Sequence, residues 1–238
     1  MDIYENVVIG SFLYALGLEV GGAARQPASL GVNLLQQTPI DGPLADIVLN
    51  NTAFFRLIEF KRSKNRSPKE HDKRSALLAA LNSSEGRRHL PISREVHWYV
   101  ETGERGEWSA AAVPYIDFGC AEGHHDFLGF IRATARAALE QPLSEGDVIA
   151  CKAYLRFVAG LTDGRQDGDT GCLLITGGGG APLSYAPLRS LRDILLSTKE
   201  IFANVPNLGF GHEHARESMP QRGRSLRREI ELELDLGL

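Results

Sequence analysis

Two short apolar segments, each interrupted by charged side chains, constrain the fold of this chain more than any other feature. The first, "ADIVL", covers residues 45 to 49, and the second, "RLIEFK", covers residues 56 to 61. Both are rich in strand-forming residues, and Asn50-Asn51 between them is a turn signal. The pattern therefore predicts a β-hairpin whose apolar strands carry Asp46, Glu59 and Lys61.

The three charged residues of this hairpin are expected to share one face. Alternate side chains of a strand project together, so Glu59 and Lys61 lie on the same side. A hairpin loop over about residues 51 to 54 places Asp46 directly across from Glu59. Two carboxylates this close repel each other, and burying them is costly unless a cation lies between them.

Magnesium is the cation that suits these groups best, with manganese as its substitute. Mg²⁺ binds one or two carboxylates together with water and substrate phosphate oxygens. Asp46 and Glu59 supply the carboxylates, and the backbone carbonyl of Phe60 would complete the protein ligands. Lys61 would then hold the attacking water or offset the charge that builds on a phosphate.

A simpler interpretation of the hairpin has no metal. Glu59 and Lys61 would form an exposed ion pair on an edge hairpin, worth under about 1 kcal/mol. That interpretation does not explain why Asp46 also interrupts an apolar strand on the same face.

The stretch "ADIVLNNTAFFRLIEFKR" resembles the PD-(D/E)xK nuclease superfamily. That pattern has an aspartate on one strand and apolar-(Asp/Glu)-x-Lys on the next, which correspond here to Asp46, Glu59 and Lys61. The family often carries a glutamate in its first helix, and Glu5 in "IYENVVIG" resembles it. A helix usually follows the second strand, as "SPKEHDKRSALLAAL" predicts. Ala45 stands where the family name has proline, at a position that varies. The resemblance covers residues 3 to about 82.

The resemblance implies an α/β fold with a mixed central sheet flanked by helices and a restriction-endonuclease-like core. It also implies a metal-dependent endonuclease that hydrolyses phosphodiester bonds, with DNA as the expected substrate, in bacterial defence or DNA processing. Asp46, Glu59 and the carbonyl of Phe60 would hold the metal, Glu5 would support it or a second ion, and Lys61 would position water. Many enzymes of this superfamily pair to cut two strands, so a homodimer is compatible with the resemblance.

Two alternatives to this assignment stay open. The chain could keep the nuclease fold without catalysis and bind nucleic acid or a protein partner. Glu5 could serve only to interact favourably with the positive end of its helix dipole.

Basic residues are concentrated immediately after the second strand. The whole chain has a formal net charge of −4, so its surface as a whole is not a basic nucleic-acid surface. A local cluster beside the predicted metal site would bind a phosphate backbone in a salt-sensitive manner, whereas the alternative is a solvated helix face. The predicted nucleic-acid-binding residues are Arg62, Lys64, Arg66, Lys69, Lys73 and Arg74.

The remaining sequence predicts further helices and strands but no linker. We therefore expect a single domain over residues 1–238, with the nuclease motifs in 1–90 and the rest of the sheet and helices in 91–238. Residues 146–160 are compatible with either a strand or a helix. The predicted helices cover 3–18, 67–82, 126–141 and 187–202, and the predicted strands cover 94–102, 109–118 and the residues from 172.

Two weaker motifs are interpreted as loops. The glycines at 177–180 invite a nucleotide-binding interpretation, but the lysine and spacing of a phosphate-binding loop are absent. Four histidines in "GHHD" and "GHEH" lack a metal-binding spacing. These histidines are His124, His125, His212 and His214.

The three cysteines and the N-terminal residues bear on the compartment. Cys120, Cys151 and Cys172 form no CxxC pair, so we expect buried core thiols and a reducing, cytoplasmic setting. The apolar run at 7–18 is interrupted by glycine and serine and is shorter than a membrane span. We therefore expect a protein without a membrane segment.

Overall fold

A computed structural model describes most of the chain between residues 3 and 193. The described residues are 3–23, 30–35, 45–51, 54–63, 68–105, 107–120, 125–140, 143–161, 172–178, 181–188 and 193. All of them belong to one compact unit that runs from Met1 to Asn204. A single domain over the full chain stays a prediction.

Five helices and eight strands are present in the described residues. The helices are α1 (Glu5–Ala23), α2 (Lys69–Asn82), α3 (Leu90–Val96), α4 (Phe127–Ala138) and α5 (Glu145–Gly160). The strands are β1 (Gly31–Leu34), β2 (Ile47–Asn50), β3 (Phe55–Arg62), β4 (His97–Arg105), β5 (Glu107–Pro114), β6 (His125–Asp126), β7 (Cys172–Gly178) and β8 (Ala181–Leu188). Short 3₁₀ turns cover Arg87–His89 and Tyr115–Asp117.

These strands form one mixed sheet in the order β6-β5-β4-β3-β2-β1-β7-β8. The β3–β4 pair is parallel, and the other neighbouring strands are antiparallel. Because parallel neighbours need a crossover, α2 and α3 connect β3 to β4. The predicted α/β class with a mixed sheet and flanking helices is confirmed at this level.

Helices cover both faces of the sheet at β3 and β4. Phe12 of α1 packs edge-on against Phe60, with ring centroids 5.5 Å apart. Trp98 contacts Phe130 of α4 on that same side. The preceding residue, His97, points to the other face of the sheet, where it contacts Tyr154 of α5. The sheet therefore lies between α1 and α4 on one face and α5, with α2 and α3, on the other.

Helix α1 is longer than the sequence predicts. It passes through Gly21 and Gly22 to Ala23, although glycine inside a helix costs about 1 kcal/mol relative to alanine. Val20 continues the buried stripe that includes Phe12 and Leu16, so packing against the core extends the helix. By length and composition α1 could cross a membrane, a test that core helices of soluble proteins also pass.

Several predicted boundaries are wrong between residues 90 and 118. Residues 94–96 end helix α3 instead of beginning a strand, because Ser93 and Val96 are buried at a helical spacing of three. Strand β5 ends at Pro114, which is followed by the 3₁₀ turn with buried Tyr115. A proline has no N–H to continue the ladder, which explains the end of the strand.

The ambiguous segment 146–160 is helical, and its start is fixed by a cap. Ser144 accepts a hydrogen bond from the backbone N–H of Asp147 at 3.2 Å, as an N-cap serine does.

The predicted start of the helix at 187–202 is wrong, since residues 187 and 188 belong to β8. Residues 189–192 and 194–202 lie outside the described part of the chain.

Candidate functional site

The β2–β3 hairpin has the register that the sequence predicts. Ile47 is opposite Ile58, and the pairing continues to Asn50 opposite Phe55. The same register extended by one residue places Asp46 opposite Glu59. This register puts both carboxylates on one face of the hairpin just before β2 begins, and the charge of Asp46 also acts on Lys61 there.

The hairpin turn is held by Asn51. Its backbone N–H donates to the carbonyl of Phe54 at 3.0 Å, and its side-chain oxygen accepts from the Phe54 N–H at 2.9 Å. Its amide nitrogen also donates to the carbonyl of Ala138 in α4 at 2.8 Å. The turn is thus fixed to a helix, which stabilises the register that sets the carboxylates opposite each other.

Asp46 is fixed to the backbone of the neighbouring strand. Its side-chain Oδ2 accepts a hydrogen bond from the Phe60 N–H at 2.6 Å, and the residue is only 2% exposed. Hydrogen bonds to a charged acceptor are stronger than neutral ones. One oxygen of Asp46 therefore holds the carboxylate in a defined orientation beside Glu59.

Glu59 is equally buried, and lysines contact both of its carboxylate oxygens. Lys61 Nζ lies 2.5 Å from Glu59 Oε1, and Lys73 Nζ lies 3.4 Å from Oε2. Lys73 comes from α2, so this ion pair joins α2 to β3. The two ammonium groups together offset the negative charge that Asp46 and Glu59 bring into the interior.

Glu70 adds a further carboxylate beside these two lysines. We call the group of Glu59, Lys61, Glu70 and Lys73 the carboxylate–lysine cluster. Glu70 lies 4.0 Å from Lys61 Nζ and 3.8 Å from Lys73 Nζ. Glu70 and Lys73 are three residues apart on α2, a spacing that puts both on one helix face. The hydroxyl of Tyr115 donates a short hydrogen bond to Glu70 Oε1.

The cluster shifts the protonation of its members. Burial, and then the nearby charge of Glu59, raise the pKa of Glu70. Burial alone would lower the pKa of Lys61, but the charges of Glu59, Asp46 and Glu70 outweigh it and raise this pKa above the ordinary value. Lys61 is therefore an ammonium ion at neutral pH in the metal-free protein.

His97 and Tyr115 form the buried support of the cluster. Their rings are stacked with centroids 4.2 Å apart, and both residues are fully buried. His97 Nδ1 lies 2.9 Å from the hydroxyl of Tyr154, whereas its Nε2 is buried without a hydrogen-bond partner in the described structure. Burial, and then the charge of Lys73, hold the pKa of His97 well below its ordinary value.

Glu5 lies at the same end of β3 but makes a different contact. Its Oε1 accepts a hydrogen bond from the backbone N–H of Arg62 at 3.2 Å. The Arg62 guanidinium lies over the ring of Tyr4, 5.4 Å from its centroid. Glu5 thus joins the start of α1 to the residue after Lys61, and its role toward a metal stays a prediction.

The donor chemistry of the site fits magnesium, although the protein ligands are few. Among the described residues, no group of three or more His, Cys, Asp or Glu side chains is placed to hold a metal ion. Asp46 and Glu59 offer hard carboxylate oxygens in an almost fully buried position. Mg²⁺ commonly takes only one or two protein carboxylates and keeps several waters, so two carboxylates and the Phe60 carbonyl are a suitable set.

The predicted basic segment is divided between protein contacts and solvent. Lys73 belongs to the cluster, and Arg74 Nε donates to the carbonyl of Ile116 at 2.9 Å. Lys69 is exposed and Arg62 is half-buried. Lys64 and Arg66 lie outside the described residues. The segment is therefore not one uniform solvated face.

The weaker motifs add little to this site. His125 is exposed in β6, whereas His124, His212 and His214 lie outside the described residues. Gly177 and Gly178 are in β7, and the next two glycines are outside the described part. Cys151 is buried as predicted, but Cys120 is exposed, because it follows a surface turn after the 3₁₀ segment.

Sequence reasoning found Asp46, Glu59 and Lys61 but missed the cluster's other members. The sequence pattern does not single out Glu70, and for Lys73 it predicts only a contact with phosphate. The available signal was the three-residue spacing of Glu70 and Lys73 on a helix that follows β3. Tyr115 and His97 gave no such signal, since they are brought together only by the sheet register.

Comparison of this chain with protein-family models, with curated proteins and with solved structures finds no match.

Proposed function

We propose that this protein is a metal-dependent nuclease of the PD-(D/E)xK type, which hydrolyses phosphodiester bonds with DNA as the expected substrate. The observation that carries the proposal is the pair of buried carboxylates, Asp46 and Glu59, each only 2% exposed. They are brought opposite each other on one hairpin, with the ammonium group of Lys61 2.5 Å from Glu59. Burying such a pair is costly even beside two lysines, and buried charged groups of this kind are concentrated at functional sites.

Each residue of the hairpin has a distinct part in this proposal. Asp46 would contribute a metal-binding carboxylate, and the Phe60 N–H holds that carboxylate in a fixed orientation. Lys61 carries a positive charge and would stabilise the negative charge that develops on a phosphate, because its raised pKa opposes a role as a base. A bound Mg²⁺ would supply Lewis-acid stabilisation and lower the pKa of its water.

The order of elements supports the same proposal. A helix that begins with Glu5 comes first, and after β1 the chain forms the strand that follows Asp46, then the strand with Glu59 and Lys61, and then helix α2. This is the order in which the resemblance arranges its motifs. A restriction-endonuclease-like core is accordingly part of the proposal.

The test is cleavage of supercoiled plasmid and single-stranded DNA in the presence of Mg²⁺ or Mn²⁺. The wild type should cut only with the metal, and Glu59→Ala/Lys61→Ala should lose at least about 100-fold in rate. Lys152→Met, which removes a lysine from α5 outside the cluster, is the control and should retain activity. No metal-dependent cutting by the wild type, together with no metal-induced rise in melting temperature, would overturn the proposal.

A second candidate is a non-catalytic protein of the same fold that binds nucleic acid or a protein partner. The observation in its favour is that lysines already contact both oxygens of Glu59. A cluster that is neutralised by its own lysines could be purely structural. This candidate predicts DNA binding, or partner binding, that is unchanged by chelation of divalent ions.

A further inference from the structure

Lys73 is the residue of the cluster whose position suggests an additional role. Its Nζ lies between two carboxylates, 3.4 Å from Glu59 Oε2 and 3.8 Å from Glu70 Oε1. Its side chain is 19% exposed, so the ammonium group is at the boundary between the interior and solvent. Lys73 therefore has two alternative partners within one short movement of its flexible stem.

Glu70 is oriented by a partner of its own that does not involve Lys73. The Tyr115 hydroxyl donates to Glu70 Oε1, and Tyr115 is itself fully buried and stacked on His97. Burial, and then the charge of Glu70, raise the pKa of Tyr115, so its hydroxyl remains a donor. Glu70 is thus held in place whether or not Lys73 also contacts Glu59.

Glu59 Oε2, by contrast, is an oxygen that a metal ion and Lys73 would both bind. Glu59 Oε1 is contacted by Lys61, and Asp46 Oδ2 accepts the Phe60 N–H. An ammonium ion and a divalent cation at the same carboxylate oxygen exclude each other by charge and by volume.

We propose that Lys73 occupies Glu59 in the metal-free protein, competes with the divalent cation for it, and pairs with Glu70 when the cation is bound. Lys73 would then be a second ammonium group directed toward the phosphate beside Lys61. This inference rests on the proposed nuclease function, since it concerns the same pair of carboxylates. It assigns Glu70 and Tyr115 as positioning residues that hold Lys73.

If Lys73 competes with the cation, removing the Lys73 side chain should have two opposite effects. Deleting a positive charge a few ångströms from a cation site should strengthen cation binding, on the order of tenfold after solvent screening. DNA cleavage should nevertheless slow, because a phosphate-directed charge has been lost. Tighter metal binding combined with slower cleavage would distinguish this role from that of a lysine that only stabilises the fold.

The experiment is a Mn²⁺ titration followed by melting temperature, with wild type, Lys73→Met and Lys152→Met compared at equal ionic strength. Lys73→Met should bind Mn²⁺ about tenfold more tightly than wild type, and Lys152→Met should bind as wild type does. Wild type that is stabilised by Mn²⁺, with equal or weaker binding by Lys73→Met, would overturn this inference and leave the nuclease proposal intact. Wild type that is not stabilised by Mn²⁺ would overturn this inference, and it would overturn the nuclease proposal as well only if metal-dependent cleavage is also absent.

Two further variants keep the test decisive. If Lys73→Met does not fold, Lys73→Gln removes the charge but retains a hydrogen-bond donor, and the same tighter binding is expected. Glu70→Gln keeps an acceptor for Tyr115 and removes the alternative partner of Lys73. It should therefore weaken Mn²⁺ binding, and unchanged binding would contradict the proposed transfer of Lys73 to Glu70.

Discussion

The two faces of strand β3 differ in what burial contributes. On one face, Phe60 packs against Phe12 of α1, in an apolar core that also includes Phe130. On the other face, Glu59 is buried to the same extent among lysines and a second carboxylate. Burying each aromatic ring contributes about 2 kcal/mol to stability, whereas burying each carboxylate has a cost that its partners must offset.

This difference separates the face of β3 that stabilises the fold from the face to which the proposed function assigns a role. Adjacent residues of one strand, Glu59 and Phe60, have opposite energetic roles because their side chains point to opposite faces. The aromatic face has no hydrogen-bond requirement. The charged face depends on a connected set of hydrogen bonds and ion pairs, and losing one partner affects the others.

The largest expected effect on stability comes from removing an aromatic side chain from the apolar face of β3. Phe60→Ala removes a fully buried ring and leaves a cavity beside Phe12, so the free energy of unfolding should fall by about 3–5 kcal/mol. Urea denaturation measures this directly. The matched control is Tyr14→Ala on the outer side of α1, where the side chain is 71% exposed and a change within about 0.5 kcal/mol is expected. Equal losses for both variants would contradict the assigned core.

A smaller effect is expected from the charged face, at Asp46. Asp46→Ala leaves the buried Phe60 N–H without its acceptor, so stability should fall by about 1–3 kcal/mol. Asp46→Asn keeps an acceptor oxygen and removes only the charge, and its loss should stay below about 1 kcal/mol. Both variants should lose metal-dependent cleavage if the proposed function holds.

The pair of Asp46 variants therefore separates a structural role from a chemical one. Denaturation and cleavage should be measured on the same preparations. A stable Asp46→Asn that still cuts DNA would remove Asp46 from the proposed metal site, and an unstable one would show that its charge supports the fold.

The charged face was only partly predictable from sequence. Alternation within "RLIEFK" and the turn at Asn50-Asn51 determine which residues of the hairpin share a face, and the observed register agrees with that prediction. Glu70 and Tyr115 reach the same face through α2 and through the end of β5. Their position depends on the parallel pairing of β3 with β4, which no local pattern specifies.

The same reasoning explains the errors in the predicted elements. "REVHWYVET" alternates as a strand does, but its first three residues end α3, because burial of Ser93 and Val96 against the sheet outweighs local propensity. Gly21 and Gly22 fail to end α1 for a similar reason, since Val20 is packed in the core. In both places the helix boundary is set by tertiary packing, about which the periodicity of the sequence carries no information.

The last prediction concerns the pH dependence of stability that arises on the charged face. His97 is fully buried, and its pKa lies well below the value of 6.5 expected in the unfolded chain. Between these two pKa values the unfolded chain binds a proton that folded His97 does not, so stability rises with pH in this range. Acidification below pH 6.5 should therefore lower the free energy of unfolding by up to about 1.4 kcal/mol per pH unit.

His97→Phe tests this contribution, because phenylalanine can keep the stacking on Tyr115 but cannot be protonated. The variant should be less stable at neutral pH, since the Tyr154 hydroxyl loses its buried partner. Its stability should nevertheless fall less steeply than that of wild type between pH 6.5 and 5, as measured by urea denaturation at each pH. Parallel pH profiles for the two proteins would show that His97 takes up a proton to the same extent in the folded and the unfolded state between pH 6.5 and 5. In that case the neutral, buried support that we assign to the carboxylate–lysine cluster would be wrong, and the contrast between the two faces of β3 would rest on the carboxylates alone.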